Sequence, residues 1–209
     1  MANKIKNEGI ERRNFNTSEI RVDNEDTREV VGYASVFNSL SENLGGFREV
    51  IHRNAFDDVL ENGTDTRALF NHDPNLILGR TTAGTLNLSV DENGLQYRFT
   101  APNTTYANDL LESLKRGDVS QSSFGFIVED DSWDQDDEGR TIRTIKKVSK
   151  LLDVSPVSFP AYPESSAETQ KRFMSFRTEL DKKEYKKQDK DNIRRGILNK
   201  KLTLIKLKK

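Results

Sequence analysis

A long predicted β-hairpin in the second half of the chain places the strongest constraint on the fold. Residues 119–128, VSQSSFGFIV, alternate as in an extended strand. One face is aromatic, with Phe124 and Phe126, while the other has small residues, with Ser123 beside Gly125. The acidic segment 129–139, EDDSWDQDDEG, predicts a chain reversal into 140–154, RTIRTIKKVSKLLDV. These two segments therefore predict a pair of long antiparallel strands.

The remaining apolar segments predict more strands than helices. Further strands are expected at 28–37 (REVVGYASVF), 47–51 (FREVI), 67–71 (RALFN), 82–90 (TAGTLNLSV) and 94–101 (GLQYRFTA). One helix is expected at 55–62 with Asn54 as its N-cap, and a stronger one at 106–117 that ends at Gly117. A ratio of about eight strands to two helices predicts an α+β, β-dominated fold, either a mostly antiparallel sheet or a small barrel with helices packed on it.

The composition changes along the chain and predicts one folded domain with an appendage. Residues 164–209 carry 15 Lys and Arg against 7 Asp and Glu, so they bear +8 and leave −9 for residues 1–163 of a chain with net charge −1. We expect a polar N-terminal lead at 1–27, a folded domain at 28–163 and a basic, flexible or helical tail at 164–209. The acidic body argues against a nucleic-acid-binding surface.

Two further features of the composition narrow the class of protein. The chain has no cysteine, which excludes disulfides, thiolate zinc sites and a cysteine nucleophile. Neither a signal-like apolar run nor a stretch long enough to span a membrane is present, so we expect a protein that acts inside the cell without a membrane.

His72 and Ser123 are the first candidates for chemistry. The chain has only two histidines, and His72 follows the apolar strand RALFN at a turn, where a scaffold can present a side chain to a cleft. An imidazole can take the proton of a serine hydroxyl and return it to a leaving amine. Each residue also has a plain structural interpretation, His72 as a hydrogen-bonded strand-end residue and Ser123 as a small residue in a sheet.

Asp153 is the candidate for a third group that orients the imidazole. It lies among Leu151, Leu152 and Val154, and an acid in an apolar strand needs a partner. Its alternative role is that of a turn-capping residue before Pro156. Asp73 is adjacent to His72, but neighbouring strand residues point apart, which makes it the weaker candidate. A calcium site in the acidic segment 130–137 is an alternative centre, although it lacks histidine and regular ligand spacing.

Several separated blocks together resemble the caudovirus prohead serine proteases, the capsid-maturation proteases of tailed phages. The blocks are VVGYASVFN, NAFDDVL, LFNHDPN with His72, DLLESLKRGDVSQSSFGF with Ser123, and LLDVSPVSFPAYP, and they cover about residues 28–163. The family is similar in turn to the herpesvirus assemblins, so the resemblance implies an assemblin-like β-barrel surrounded by helices. It also implies a serine endopeptidase with His72 as base and Ser123 as nucleophile, and it implies neither a metal nor a cofactor.

The resemblance leaves the third catalytic group open. Assemblins use a second histidine after the serine, but this chain has none after residue 72. Many family members have Asp where this chain has Asn103. A third group that follows Ser123 cannot be an imidazole, and Asp153 lies in the strand where such a group is expected.

The resemblance also implies where the protein acts and on what. The expected partners are the major capsid protein and its scaffolding segment, inside an assembling procapsid in the host cytoplasm, with self-cleavage and a homodimer or higher oligomer as further expectations. The basic tail would tether the protease to an internal partner or be removed by self-cleavage, or it is simply a solvated end. The alternative function is a catalytically silent procapsid assembly protein that retains the protease fold.

Overall fold

The computed structural model describes residues 9–14, 20–159 and 167–206. The chain divides into two compact units, Met1–Thr169 and Gln170–Lys209. Within the described residues there are ten strands and three α-helices, with one short 3-10 helix at Thr81–Ala83. The strands are β1 (Glu11–Asn14), β2 (Ile20–Asn24), β3 (Glu29–Val36), β4 (Phe47–Ile51), β5 (Arg67–Leu69), β6 (Ile77–Arg80), β7 (Leu86–Val90), β8 (Gly94–Thr100), β9 (Gln121–Gln135) and β10 (Thr141–Val157). The helices are α1 (Asp57–Glu61), α2 (Thr105–Arg116) and α3 (Ala167–Lys206).

The predicted long hairpin forms the centre of a six-stranded sheet. Strands β9 and β10 pair antiparallel from Thr141 opposite Gln135 to Val157 opposite Gln121. The sheet runs in the order β1-β9-β10-β5-β6, and β4 also pairs with β10. Because β5 runs parallel to β10 at Arg67 and Ala68, the chain leaving β5 emerges beside the C-terminal part of β10. This topology brings the segment that contains His72 next to the hairpin.

The remaining strands form a second, four-stranded sheet in the order β2-β3-β8-β7. All three pairings in it are antiparallel, and β7 and β8 form a hairpin in which Asp91 N donates to the Gly94 carbonyl. The β-dominated, mostly antiparallel class is therefore confirmed. The small closed barrel is not found, because the described strands hydrogen-bond into two separate sheets, and neither sheet is joined edge to edge. Resemblance to the assemblin fold stays a prediction.

One hydrophobic core joins the sheets and the helices of the first unit. It contains Phe124 and Phe126 of β9 together with Tyr97 and Phe99 of β8. The rings of Phe124 and Phe126 stack at 4.6 Å between centroids, which fixes the face of β9 opposite Ser123. The core therefore holds the strand that carries Ser123 in a single register.

The helices follow their sequence patterns with one exception. In α2 the four apolar residues at helical spacing are buried, and Gly117 closes the helix with a φ of 79°. Asn54 was predicted to cap α1, but the helix begins at Asp57, and Asn54 Nδ2 instead donates to Asp57 Oδ2 at 2.7 Å. The intervening residues form a turn, which moves the helix start beyond the reach of that cap. No helix in the described ranges is long and apolar enough to span a membrane.

Two segments predicted to lie outside the folded domain contain regular structure. The predicted polar lead at 1–27 includes β1 and β2, and the predicted tail at 164–209 includes α3. Strand β1 is short and rich in charge, and its alternation is too brief to mark it as a strand. The division of the chain at residues 27 and 163 stays a prediction.

Candidate active site

Three residues from three separate parts of the sequence meet through consecutive hydrogen bonds. The Oγ atom of Ser123 lies 2.7 Å from Nε2 of His72, and Nδ1 of the same ring lies 2.5 Å from Oδ2 of Asp153. Ser123 is fully buried, whereas the side chains of His72 and Asp153 are each 9% exposed. With a proton on Nδ1 held by the carboxylate, Nε2 presents a lone pair to the serine hydroxyl. This arrangement can remove the hydroxyl proton as the oxygen attacks an electrophile.

His72 is placed by a strained loop after β5. Asn71 and His72 both have left-handed backbone conformations, with φ of 55° and 59°. The loop is fastened to the end of β10, because Asn71 N donates to the Pro156 carbonyl at 3.0 Å and Ser158 N donates to Asn71 Oδ1 at 2.9 Å. Non-glycine residues in this region carry strain that the surrounding structure must offset. These two left-handed residues reverse the chain direction, so that the imidazole lies over the sheet.

Asp153 reaches the same face through a β-bulge in β10. Leu151 lies opposite Phe126 and Asp153 lies opposite Gly125, so β10 advances by two residues where β9 advances by one. The extra residue lets Leu151 and Val154 both join the hydrophobic core. A bulge redirects the side chains that follow it, and here Asp153 faces His72.

Gly125 and Ser155 complete the surroundings of the Asp153 carboxylate, and sequence reasoning missed both roles. The Asp153 side chain fills the space beside Gly125, and an added Cβ there would collide with Oδ1 of that carboxylate. Ser155 Oγ donates to Asp153 Oδ2 at 2.6 Å. Two donors thus orient the carboxylate. Only the period-two spacing of Asp153 and Ser155 on one strand face signals this contact.

A buried cluster of charged residues lies beside the candidate triad. Arg13 donates to both carboxylate oxygens of Glu49, and Arg143 donates to Glu49 and to Glu11. Burial opposes ionisation of Glu49, but attraction to Arg13 and Arg143 outweighs it, so the pKa of Glu49 is lowered. Burial likewise opposes the charge of Arg13, whose pKa is nevertheless raised by the Glu49 and Glu11 carboxylates.

The other residues weighed as candidates make local contacts. Asp73 Oδ1 accepts from the backbone and side-chain nitrogens of Asn75, so this acid holds a turn. His52 is exposed, and its Nδ1 accepts from Asn54 N at 3.2 Å. Within the acidic segment, Asp131 pairs with Arg143 and Asp136 pairs with Arg140. No group of three or more acidic or histidine side chains in the described part of the chain is arranged to hold a metal ion.

Comparisons with known proteins identify one family. A family model described as caudovirus prohead serine protease matches residues 15–179. A search of solved structures matches the bacteriophage T4 capsid assembly protease, with 11% sequence identity, a TM-score of 0.45, and coverage of 71% of this chain and 96% of that chain. A search of curated proteins found no match.

Proposed function

Because the chain belongs to the caudovirus prohead serine protease family, we propose that it is a serine endopeptidase of phage capsid maturation that uses Ser123, His72 and Asp153. The observation that supports these roles is the pair of hydrogen bonds that joins Ser123 to His72 and His72 to Asp153. An alcohol, an imidazole and a carboxylate in this order are the parts needed for acyl transfer to a serine.

The proposed mechanism assigns one task to each side chain. Ser123 Oγ attacks a peptide carbonyl carbon while His72 Nε2 takes the hydroxyl proton. The C–N bond then breaks, and His72 returns the proton to the leaving amine, which leaves an acyl group on Ser123. Water, deprotonated by the same imidazole, hydrolyses this ester. Throughout, Asp153 holds the Nδ1 proton and stabilises the positive charge on the ring.

The proposed substrates are proteins of the assembling capsid. We assign the major capsid protein and its scaffolding segment as substrates inside a procapsid in the host cell, together with self-cleavage. The family description supports this setting. Homodimerisation, which the likeness to assemblins implies, belongs to the same proposal and is tested by sedimentation of the purified protein over a range of concentrations.

The decisive experiment is co-expression of a Ser123→Ala variant with the phage capsid protein. We expect capsid-protein cleavage to stop while procapsids still assemble. The matched control is Ser122→Ala, because Ser122 is the neighbouring buried serine on the opposite face of β9, where its Oγ contacts Tyr97 Oη at 2.6 Å. Unchanged processing in the Ser123 variant would overturn the peptidase assignment and favour a catalytically silent assembly protein.

A further inference from the structure

The chain's own N-terminal strand covers the candidate nucleophile. Strand β1 lies at the edge of the six-stranded sheet and pairs antiparallel with β9, from Glu11 opposite Phe126 to Asn14 opposite Ser123. The backbone carbonyl of Arg13 accepts a hydrogen bond from Ser123 Oγ at 3.0 Å. A substrate carbonyl must approach the same hydroxyl oxygen, with its carbon about 3–3.5 Å from Oγ at attack, whereas the Arg13 carbonyl is held there through its oxygen. Strand β1 therefore occupies the position that a peptide at this site would take.

The Arg13 carbonyl also competes for the proton that activation requires. A serine hydroxyl has one hydrogen to donate, and both His72 Nε2 and the Arg13 carbonyl lie within reach of it. While Ser123 donates to the carbonyl, His72 cannot remove its proton. The contact with β1 therefore opposes the charge separation on which the proposed mechanism depends.

Two side chains of β1 anchor it in the buried charged cluster. Arg13 is 2% exposed and donates to Glu49 Oε2 at 2.5 Å and Oε1 at 3.0 Å. Glu11 is fully buried and accepts from Arg143 at 2.7 and 2.9 Å and from Thr169 Oγ1 at 3.1 Å. Arg12, between them, is exposed. The folded body thus binds β1 through an acidic residue and an arginine two positions later. The exposed residue between them takes no part in this recognition.

We propose that the β9 edge from Ser123 to Phe126 binds extended peptides with the pattern acidic residue, any residue, arginine, and that β1 is the intramolecular occupant which such a peptide must displace. The part concerning cleavage rests on the proposed peptidase function, and it places the arginine carbonyl at Ser123. Binding by strand addition uses main-chain hydrogen bonds for affinity and alternate side chains for specificity.

The partners of Arg13 and Glu11 stay on the folded body when β1 leaves. Glu49 belongs to β4 and Arg143 to β10, and both are fully buried. Removing one member of a buried ion pair leaves the other as an uncompensated buried charge, which is strongly destabilising. An incoming arginine restores the contact to Glu49, and an incoming acid restores the contact to Arg143. The buried charged cluster therefore favours both β1 and a peptide that carries the same pattern of charges.

Binding of two labelled peptides to full-length protein tests the inference. The first peptide, GIERRN, is the sequence of residues 9–14, and the second, GIRREN, exchanges the two buried charges while keeping composition and net charge. Both are measured by fluorescence anisotropy on a Ser123→Ala background, in which nothing is cleaved. The added Arg13→Glu change places a third acid beside Glu49 and Glu11 and should release β1.

We expect GIERRN to bind the Arg13→Glu chain at least about 10-fold more tightly than it binds the chain with β1 intact, because the like charges disfavour β1 in its own site. GIRREN should bind that variant at least about 10-fold more weakly than GIERRN does. Arg12→Glu, an equal charge change at the exposed neighbour, should leave binding at the level of the intact chain. Equal binding of the two peptides to a folded Arg13→Glu chain, or no binding of either, would overturn the proposal.

Circular dichroism and the melting temperature establish whether the variant is folded. Should Arg13→Glu unfold the protein, Arg13→Met removes the charge and keeps most of the volume, and the same peptide ranking is required of it. A fluorophosphonate probe on the Arg13→Glu chain with Ser123 retained, where β1 no longer covers the hydroxyl, separates the two proposals. Selective peptide binding without labelling of Ser123 rejects the peptidase and retains the β9 peptide site. Labelling of Ser123 with equal binding of the two peptides retains the peptidase and rejects the β9 peptide site.

Discussion

Gly125 lies directly opposite Asp153 in the pairing of β9 and β10, and the carboxylate of Asp153 fills the space that a side chain at residue 125 would need. The glycine is required by a neighbouring side chain, since its own φ lies outside the left-handed region. A methyl group there must push the carboxylate away from His72. The contact therefore links the slim face of the strand to the geometry of the candidate triad.

We expect Gly125→Ala to lower the rate of capsid-protein cleavage by at least about 100-fold, because a displacement of about 1 Å in a catalytic group costs that much. The rate is measured with purified enzyme and capsid protein. Gly94→Ala is the control, since its Cβ would meet the Ser35 carbonyl in the other sheet, and it should lower stability while the folded protein keeps its rate. Equal loss of activity in both variants would mean that the effect is general destabilisation.

Replacement of Asp153 by Asn should lower the cleavage rate by about 10³–10⁴-fold, since an amide can no longer hold the Nδ1 proton and the ring adopts the wrong tautomer. Asp73→Asn is the matched control, because Asp73 follows His72 in sequence but binds only its own turn among the contacts described. Its rate should stay within about threefold of the wild type. A similar small effect for Asp153→Asn would remove Asp153 from the mechanism.

Much of the fold follows from sequence because the strands have strong local signals. The β9–β10 hairpin has period-two alternation on both sides of a polar turn, and α2 has apolar residues at helical spacing with a closing glycine. Strand β1 lacks such a signal, because its four residues are stabilised by distant partners such as Glu49 and Phe124. The two-sheet arrangement also depends on pairings distant in sequence, which periodicity does not encode.

The candidate site was likewise only partly predictable from the sequence. His72, Ser123 and Asp153 stand out because each is a polar residue in or beside an apolar strand. The contact of Ser155 with Asp153 and the carbonyl of Arg13 at Ser123 arise from strand register. Register depends on the bulge between Leu151 and Asp153, and no residue type marks it.

The left-handed loop makes a separate prediction about Asn71. Asn tolerates a φ of 55° better than most residues, whereas a β-branched side chain does not. Asn71→Val should cost about 1–2 kcal/mol of unfolding free energy and lower the cleavage rate by moving His72. Asn71→Gly relieves the strain and loses only the side-chain contacts to Ser158 N and Oγ, so it should retain more activity than the Val variant. Urea unfolding and the cleavage rate are measured for both, and equal values would show that the backbone conformation is unimportant.

The charged cluster that holds β1 should make stability depend on Glu49 and on pH. The pKa of Glu49 is lowered below its ordinary value of 4.5, because the attraction of Arg13 and Arg143 outweighs burial. Its ionised form therefore adds stability that is fully present above pH 4.5 and is lost as the pH falls through the lower folded-state value. Glu49→Gln should cost about 3–5 kcal/mol at neutral pH, since it breaks a buried pair.

Urea unfolding from neutral pH to well below the ordinary Glu pKa measures this dependence. The difference between wild type and Glu49→Gln should shrink as the solution is acidified, because protonation neutralises the wild-type carboxyl group as well. Glu138→Gln is the control, since that side chain is 69% exposed in its pair with Arg140 and should change stability by less than about 1 kcal/mol. A difference in unfolding free energy that stays constant at every pH would show that the charge of Glu49 is unimportant. The claim that electrostatic attraction anchors β1 would then be wrong.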